Sequence, residues 1–298
     1  MSIKTLLFPP LNRLPERSRL DTFEAGTAIP RIIHQTFYER NLSAPLQANV
    51  DALRNMNPGW EYRFYDDSDI ATFIKGNYPE WVWDYFERID PRYGAARADF
   101  FRYLLMYKVG GVYLDIKSTI RRPLDTVLLS SDRFILSKWH LPNGEYEHKG
   151  LVYDLRHIEG GEYQQWHIIC APGHPFLKAV LEAVLSNMDS YDPHLHQTGK
   201  RGVLRVTGPI AYTMAIQRII RDHPHRELDG RKMLGLDYNV YGENLEHVPL
   251  FKGHYSFQTA SIIRLDPYRS LKSRLYGFAQ TLHDRLLGGK TGAQSPPG

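Results

Sequence analysis

The run Arg97-Ala98-Asp99-Phe100-Phe101-Arg102-Tyr103, followed by Gly110-Gly111-Val112-Tyr113-Leu114-Asp115-Ile116-Lys117, constrains this chain more than any other stretch. Phe100, Leu104 and Tyr107 recur at helical spacing, as do Phe101 and Leu105, so residues 95–109 read as a helix. Gly110 supplies its stop, and residues 112–116 read as the next strand. That strand ends in an acid and a base. Buried strands rarely end so unless a charged ligand waits there, and in open α/β sheets ligands bind beyond the carboxyl ends of strands.

Strand side chains alternate between faces. Val112, Leu114 and Ile116 are therefore expected in the core, with Tyr113, Asp115 and Lys117 on the other face. Asp115 and Lys117 would stand about 6 to 7 Å apart at backbone level. Asp99 and Arg102 lie at i and i+3, on one helix face. The plain alternative for that pair is a local salt bridge. The layout as a whole suggests a site for a nucleotide-diphosphate sugar.

The other elements alternate strand and helix. Strands are expected at 31–37, 60–65, 134–136 and 166–169, and helices at 45–56, from Asp67 or Ser68 to 74, from 80, at 175–188 and at 209–220. This order predicts an α/β fold with a central, largely parallel sheet flanked by helices. Residues 1–28 are polar and irregular and read as an arm, and 29–265 as the main domain. Residues 138–162 and 189–202 read as long surface loops of the kind that carry specificity.

Residues 266–298 read as a basic amphipathic helix with a disordered tail. Leu271, Leu275, Phe278, Leu282 and Leu286 form one stripe, and Arg269, Lys272, Arg274 and Arg285 add charge. The helix is expected to pack on its own domain. Peripheral contact with an anionic membrane through 267–287 is the alternative.

Composition removes several classes. A net charge of +4 is too small to argue for nucleic acid. The single cysteine, Cys170, allows no intrachain disulfide and fits a reducing compartment. There is neither a signal-peptide apolar region nor an apolar run of the roughly 18 residues a membrane span needs. The expected location is therefore cytoplasmic, or peripheral on the inner face of the membrane. The 13 histidines include His194-Leu195-His196 and His223-Pro224-His225, neither with a third ligand at zinc spacing. The triplet Asn41-Leu42-Ser43 matches a glycosylation sequon, as many triplets do by chance.

Further segments join the first run. They are 29–36 (Ile-Pro-Arg-Ile-Ile-His-Gln-Thr), 57–62 (Asn-Pro-Gly-Trp-Glu-Tyr), Asp66-Asp67, 171–176 (Ala-Pro-Gly-His-Pro-Phe) and Thr207-Gly208-Pro209. In this order the combination resembles glycosyltransferase family 32, whose members carry a DxD sugar-binding region. The resemblance implies a GT-A-like fold and retaining transfer from a nucleotide-diphosphate sugar to a glycan or lipid-linked acceptor. It also suggests a place in bacterial capsule or surface-polysaccharide synthesis. Carried over by position, Ile33, His34 and Gln35 lie at the nucleotide end, and Asp99 binds hydroxyls of the donor ribose or sugar. Arg102 contacts the sugar or its phosphate, Asp115 is the first acid of DxD, and Tyr103 and Tyr113 join the donor-binding set. His254 and Ser261 resemble a segment that closes on the diphosphate, although Ile262 stands where a tryptophan is usual.

Lys117 departs from the pattern. In DxD enzymes the second acid coordinates Mn²⁺ or Mg²⁺, which stabilises the leaving diphosphate as a Lewis acid. A protonated lysine cannot be a ligand. Three readings stay open. Lys117 neutralises the diphosphate itself; a metal binds through Asp115, His254 and the phosphates; or catalysis is lost and the chain only binds nucleotide sugar or glycan. A membrane-surface scaffold using the basic helix is a further rival from another class.

Overall fold

The computed structural model describes residues 8–13, 15, 17–140, 147–241 and 258–288. The chain enters the sheet at β1 (Ile32–Thr36), crosses through helix α1 (Ala44–Met56), and returns as β2 (Glu61–Tyr65). Asp66 caps α2 (Asp67–Asn77) reciprocally with Asp69, the arrangement that satisfies the first orphan N–H groups of a helix. Helix α3 (Glu80–Arg88) and α4 (Gly94–Val109) then lead into β3 (Gly111–Leu114). Short β4 (Thr119–Ile120), β5 (Phe134–Leu136) and β6 (His167–Cys170) precede α5 (Pro175–Ser190), α6 (Gly199–Val206) and α7 (Pro209–Gln217). The described chain closes with β7 (Arg226–Glu227), β8 (Leu236–Asp237) and α8 (Pro267–Gly288).

The main sheet runs β2-β1-β3-β6-β5-β7. Three of its pairings are parallel, and β6 lies antiparallel to both β3 and β5. This is the expected α/β architecture, a mostly parallel mixed sheet flanked by helices. Each face is covered by its own core. On one side Tyr113, Phe134, Leu136, Ile168 and Cys170 pack with Phe100, Leu104, Leu181 and Tyr212. On the other, Ile33, Val112, Leu114, Ile135 and Ile169 pack with Leu53, Trp166 and Leu236. Residues of α4 are buried on every side, which is why it carries so few exposed polar groups.

The passage from α4 to β3 needs glycine twice. Gly110 has φ 68° and Gly111 φ 104°, both in the left-handed half of backbone space. A Cβ on Gly110 would lie 2.6 Å from Pro172 N, and one on Gly111 2.6 Å from Ile32 O.

Four expectations are corrected or refined. First, β3 ends at Leu114. The Asp115 amide still reaches Trp166 O (2.8 Å), but Ser118 N then bonds Asp115 O (2.8 Å) and closes a turn, so Lys117 stands on a turn and not on an extended strand. Second, residues 189–202 are not one loop. Asp192 caps a helical turn, Pro193–His196, and α6 follows with Gly199, Gly202, Val203 and Val206 buried. Its glycines weakened the helical signal but allow close packing, since a Cβ on Gly202 would lie 2.5 Å from Gln197 O. Third, the arm folds back on the body: Leu20 is buried, and Asn12 N bonds Asn187 Oδ1. Fourth, α8 packs on the domain, but through Ser273 and Gly277 and not through its apolar stripe, of which Leu271, Leu275 and Phe278 are exposed.

The stretch 138–162 contains a 3-10 turn, Tyr153–Leu155, and an isolated antiparallel bridge from Lys138 to Tyr163. Its residues 141–146 lie outside the described residues.

Candidate active site

At the carboxyl end of β3, helix α4 and the turn after the strand bring four of the expected charged residues together. Arg102 is their centre. Its Nη2 lies 3.0 Å from Asp115 Oδ1 and 3.5 Å from Asp99 Oδ1. Its Nη1 donates to Gln165 O (2.9 Å) and Gln165 Oε1 (3.2 Å), and its guanidinium stands 4.9 Å from the centroid of the Tyr113 ring. Burial works against the charge of Arg102, but Asp115, Tyr113 and Asp99 hold its pKa above the ordinary value. The guanidinium therefore stays charged at every working pH.

Asp99 is buried. Its oxygens accept from Gln165 Nε2 and from Thr207 Oγ1, both at 3.0 Å. Burial raises its pKa, and Arg102 with these two donors opposes the rise. Tyr103 belongs to the same layer, its hydroxyl within hydrogen-bond reach of Gln165 Oε1 (3.1 Å) and Thr207 O (2.9 Å). Gln165 thus ties Asp99, Arg102 and Tyr103 into one network, and such networks fix side-chain geometry.

Asp115 is the member that meets solvent, with 24% of its side chain exposed against 6% for Arg102. The Tyr113 hydroxyl donates to its Oδ1 at 3.3 Å. Behind it Gln35 Nε2 bonds Asp115 O (3.3 Å), and the Tyr62 hydroxyl donates to Gln35 Oε1 (2.9 Å). Lys117 is buried, donating from Nζ to the Tyr238 hydroxyl (2.9 Å) and lying 4.1 Å from that ring's centroid. Burial lowers its pKa, and nearby Asp115 partly restores it. Tyr238 packs against Trp139 (5.0 Å between centroids) and Trp166 (5.6 Å). Lys117 thereby has an aromatic wall.

Of the other expected donor residues, Ile33, His34 and Ser261 sit elsewhere. Ile33 is in the apolar core. His34 is fully buried and uses both ring nitrogens, Nδ1 on the Tyr65 hydroxyl (3.1 Å) and Nε2 on Gly110 O (3.0 Å). Burial pushes its pKa down to about 4, so it is a neutral brace for the α4–β3 passage. Ser261 donates to Ile263 O (2.6 Å) on a segment that straps the start of α4, where Tyr93 donates to Ala260 O (2.6 Å). His254 lies outside the described residues.

Sequence reasoning missed Gln165 and Tyr238 altogether. Thr207 was noticed only as part of a segment. No spacing rule links these residues to α4; only the folded chain brings them together.

Among the described residues the donor set is poor for a divalent ion, and His254, the second expected ligand, lies outside them. Lys117 presents an ammonium where a ligand would stand, and the Asp115 carboxylate is already ion-paired with Arg102. Among the described residues, no group of three or more His, Cys, Asp or Glu side chains is placed to hold a metal ion.

Comparison with known proteins agrees with the resemblance read from the sequence. Residues 43–135 match the family described as glycosyltransferase sugar-binding region containing DXD motif. Inositol phosphoceramide mannosyltransferase 1 of Schizosaccharomyces pombe is 33% identical over 111 residues, covering 36% of this chain and 34% of that protein. Mannosyl phosphorylinositol ceramide synthase SUR1 of Saccharomyces cerevisiae is 34% identical over 100 residues, covering 34% of this chain and 25% of that protein. The chain thus matches about a third or less of the length of these relatives. Among solved structures, the PaToxG glycosyltransferase aligns with a TM-score of 0.48 at 16% identity, covering 84% of this chain and 86% of that one.

Proposed function

We propose that this protein is a retaining glycosyltransferase that moves a sugar from a nucleotide-diphosphate donor to a hydroxyl acceptor. The observation that carries the reading is the grouping of Asp115, Arg102 and Lys117 at the carboxyl end of β3. Asp115, the most exposed of the three, accepts hydrogen bonds from donor-sugar hydroxyls. Arg102 holds that carboxylate in place from behind. Lys117 supplies positive charge to the diphosphate, where a metal would otherwise act. An ammonium is an effective point-charge partner for phosphate.

In this scheme the bond from the anomeric carbon to the phosphate oxygen breaks, and its electron pair leaves with the diphosphate. The acceptor oxygen forms its bond to the same carbon from the same face. Its proton passes to a leaving phosphate oxygen. Fixed positive charge placed where the leaving group gains negative charge is the main source of acceleration in such a site.

Two of the matched relatives are fungal proteins named as an inositol phosphoceramide mannosyltransferase and a mannosyl phosphorylinositol ceramide synthase. This favours a lipid with a hydroxyl-rich headgroup as acceptor over the capsular polysaccharide first expected, and makes a mannose donor the first to try. The test is a hydrolysis screen of UDP- and GDP-linked sugars, reading released nucleotide. Release from one donor is the expected outcome. Tight binding of a donor with no release, in the presence or absence of acceptor lipid, would instead mark a binding protein, the reading that Lys117 in place of an acid favours.

A further inference from the structure

The final helix turns its apolar side outward. At about 100° per residue, Tyr268, Leu271, Leu275 and Phe278 share an arc of about 80°. They are exposed by 76%, 59%, 62% and 70%. The helix is held to the body from the opposite side. There Ser273 is buried, Arg269 Nη2 donates to Tyr191 O (2.7 Å) and Met188 O (3.1 Å), and Gly277 lies so close to His194 that a Cβ would stand 2.7 Å from its ring. The body therefore presents the stripe to solvent, although an amphipathic helix ordinarily buries that face.

The charges are arranged about the stripe. Lys272 and Arg274 each lie about 40° beyond one edge of it. Residues 267–281 hold three basic side chains and no acidic one. A second copy of the same face would set basic edge against basic edge. An anionic lipid surface matches both parts, with acyl chains for the stripe and headgroups for the flanking cations. Tyr268 has an apolar ring and a polar tip, which suits the boundary between them. No described helix is long and apolar enough to cross a membrane.

We propose that α8 is a docking surface for an anionic bilayer, lying in the interface plane with Leu271, Leu275 and Phe278 inserted. This would hold the catalytic domain against the surface on which a lipid-borne acceptor resides. The docking itself rests on α8 alone.

The test is flotation of the full chain with phosphatidylcholine vesicles, with and without about 30% phosphatidylglycerol. The protein should float with the anionic vesicles and dissociate as salt rises. The triple variant Leu271→Gln, Leu275→Gln, Phe278→Gln should lose about tenfold or more of the binding, with its thermal midpoint unchanged. Lys272→Gln with Arg274→Gln should abolish the preference for anionic vesicles. The proposal is overturned if the wild-type chain does not float, or if the triple variant floats equally. It is also overturned if sedimentation shows a dimer that the triple variant dissolves, since a second copy would then occupy the face. Flotation needs no donor, so its failure is separate from failure of the catalytic reading.

Discussion

Arg102 Nη2 lies 3.0 Å from Asp115 Oδ1, closer than to Asp99 on its own helix at 3.5 Å. The pairing joins the end of β3 to α4 and leaves Asp99 to Gln165 and Thr207. Asp115→Ala should therefore abolish transfer with little loss of stability, because the carboxylate is partly solvated. Turnover retained in a folded Asp115→Ala protein would remove the site assignment.

Arg102→Ala should behave differently. It takes the neighbouring cation from the buried Asp99 carboxylate, which keeps only its bonds from Gln165 and Thr207, and removes the support behind Asp115. Breaking a buried pair from one side costs about 3 to 5 kcal/mol, so denaturant unfolding should show a large destabilisation as well as lost activity. A stable but inactive Arg102→Ala protein would mean that Arg102 acts only on the donor.

Tyr238→Phe removes the oxygen that receives the Lys117 ammonium and keeps the ring beneath it. A single hydrogen bond of this kind is worth about 1 kcal/mol, so turnover should fall by roughly fivefold. The alkaline limb of the pH–rate profile should lie below the ordinary lysine range, because burial lowers the pKa of Lys117. A limb that survives unchanged in Lys117→Arg, whose charge does not titrate in that range, would assign it to another group.

Stability should fall in mild acid. Burial holds His34 at about 4 and His167 at about 3, against about 6.5 in the unfolded chain. Below pH 6.5 the unfolded chain binds protons that the folded one refuses, so stability is complete above that value and is lost as pH falls towards 4 and 3. The thermal midpoint should drop between pH 7.5 and 5, and His167→Phe should flatten that slope. An equal slope in the variant would place the acid sensitivity elsewhere.

Much of the architecture was legible because α4 and the strands carry strong local patterns. The glycine pair after Val109 marked the helix end and the strand start, and the positive φ angles show why. What escaped was set by tertiary contact. Helix α6 was hidden by two glycines, Gly202, which its packing requires, and Gly199, which sits at φ 59°. Lys117 was placed on a strand because period-two spacing cannot see where the ladder of β6 runs out. Gln165 and Tyr238 join the site across more than 60 residues of chain. His34, chosen by position in a matched segment, has its ring committed to bracing the backbone.

The proposed role of Lys117, to supply the positive charge a metal would otherwise bring, sets metal dependence against the lysine. Nucleotide release from the preferred donor should be measured in EDTA and in Mn²⁺, for the wild-type chain and for Lys117→Ala. Wild-type rates should be equal in both, and the variant should lose about a hundredfold or more. Release that EDTA abolishes and Mn²⁺ restores, with Lys117→Ala as active as the wild type, would contradict that role.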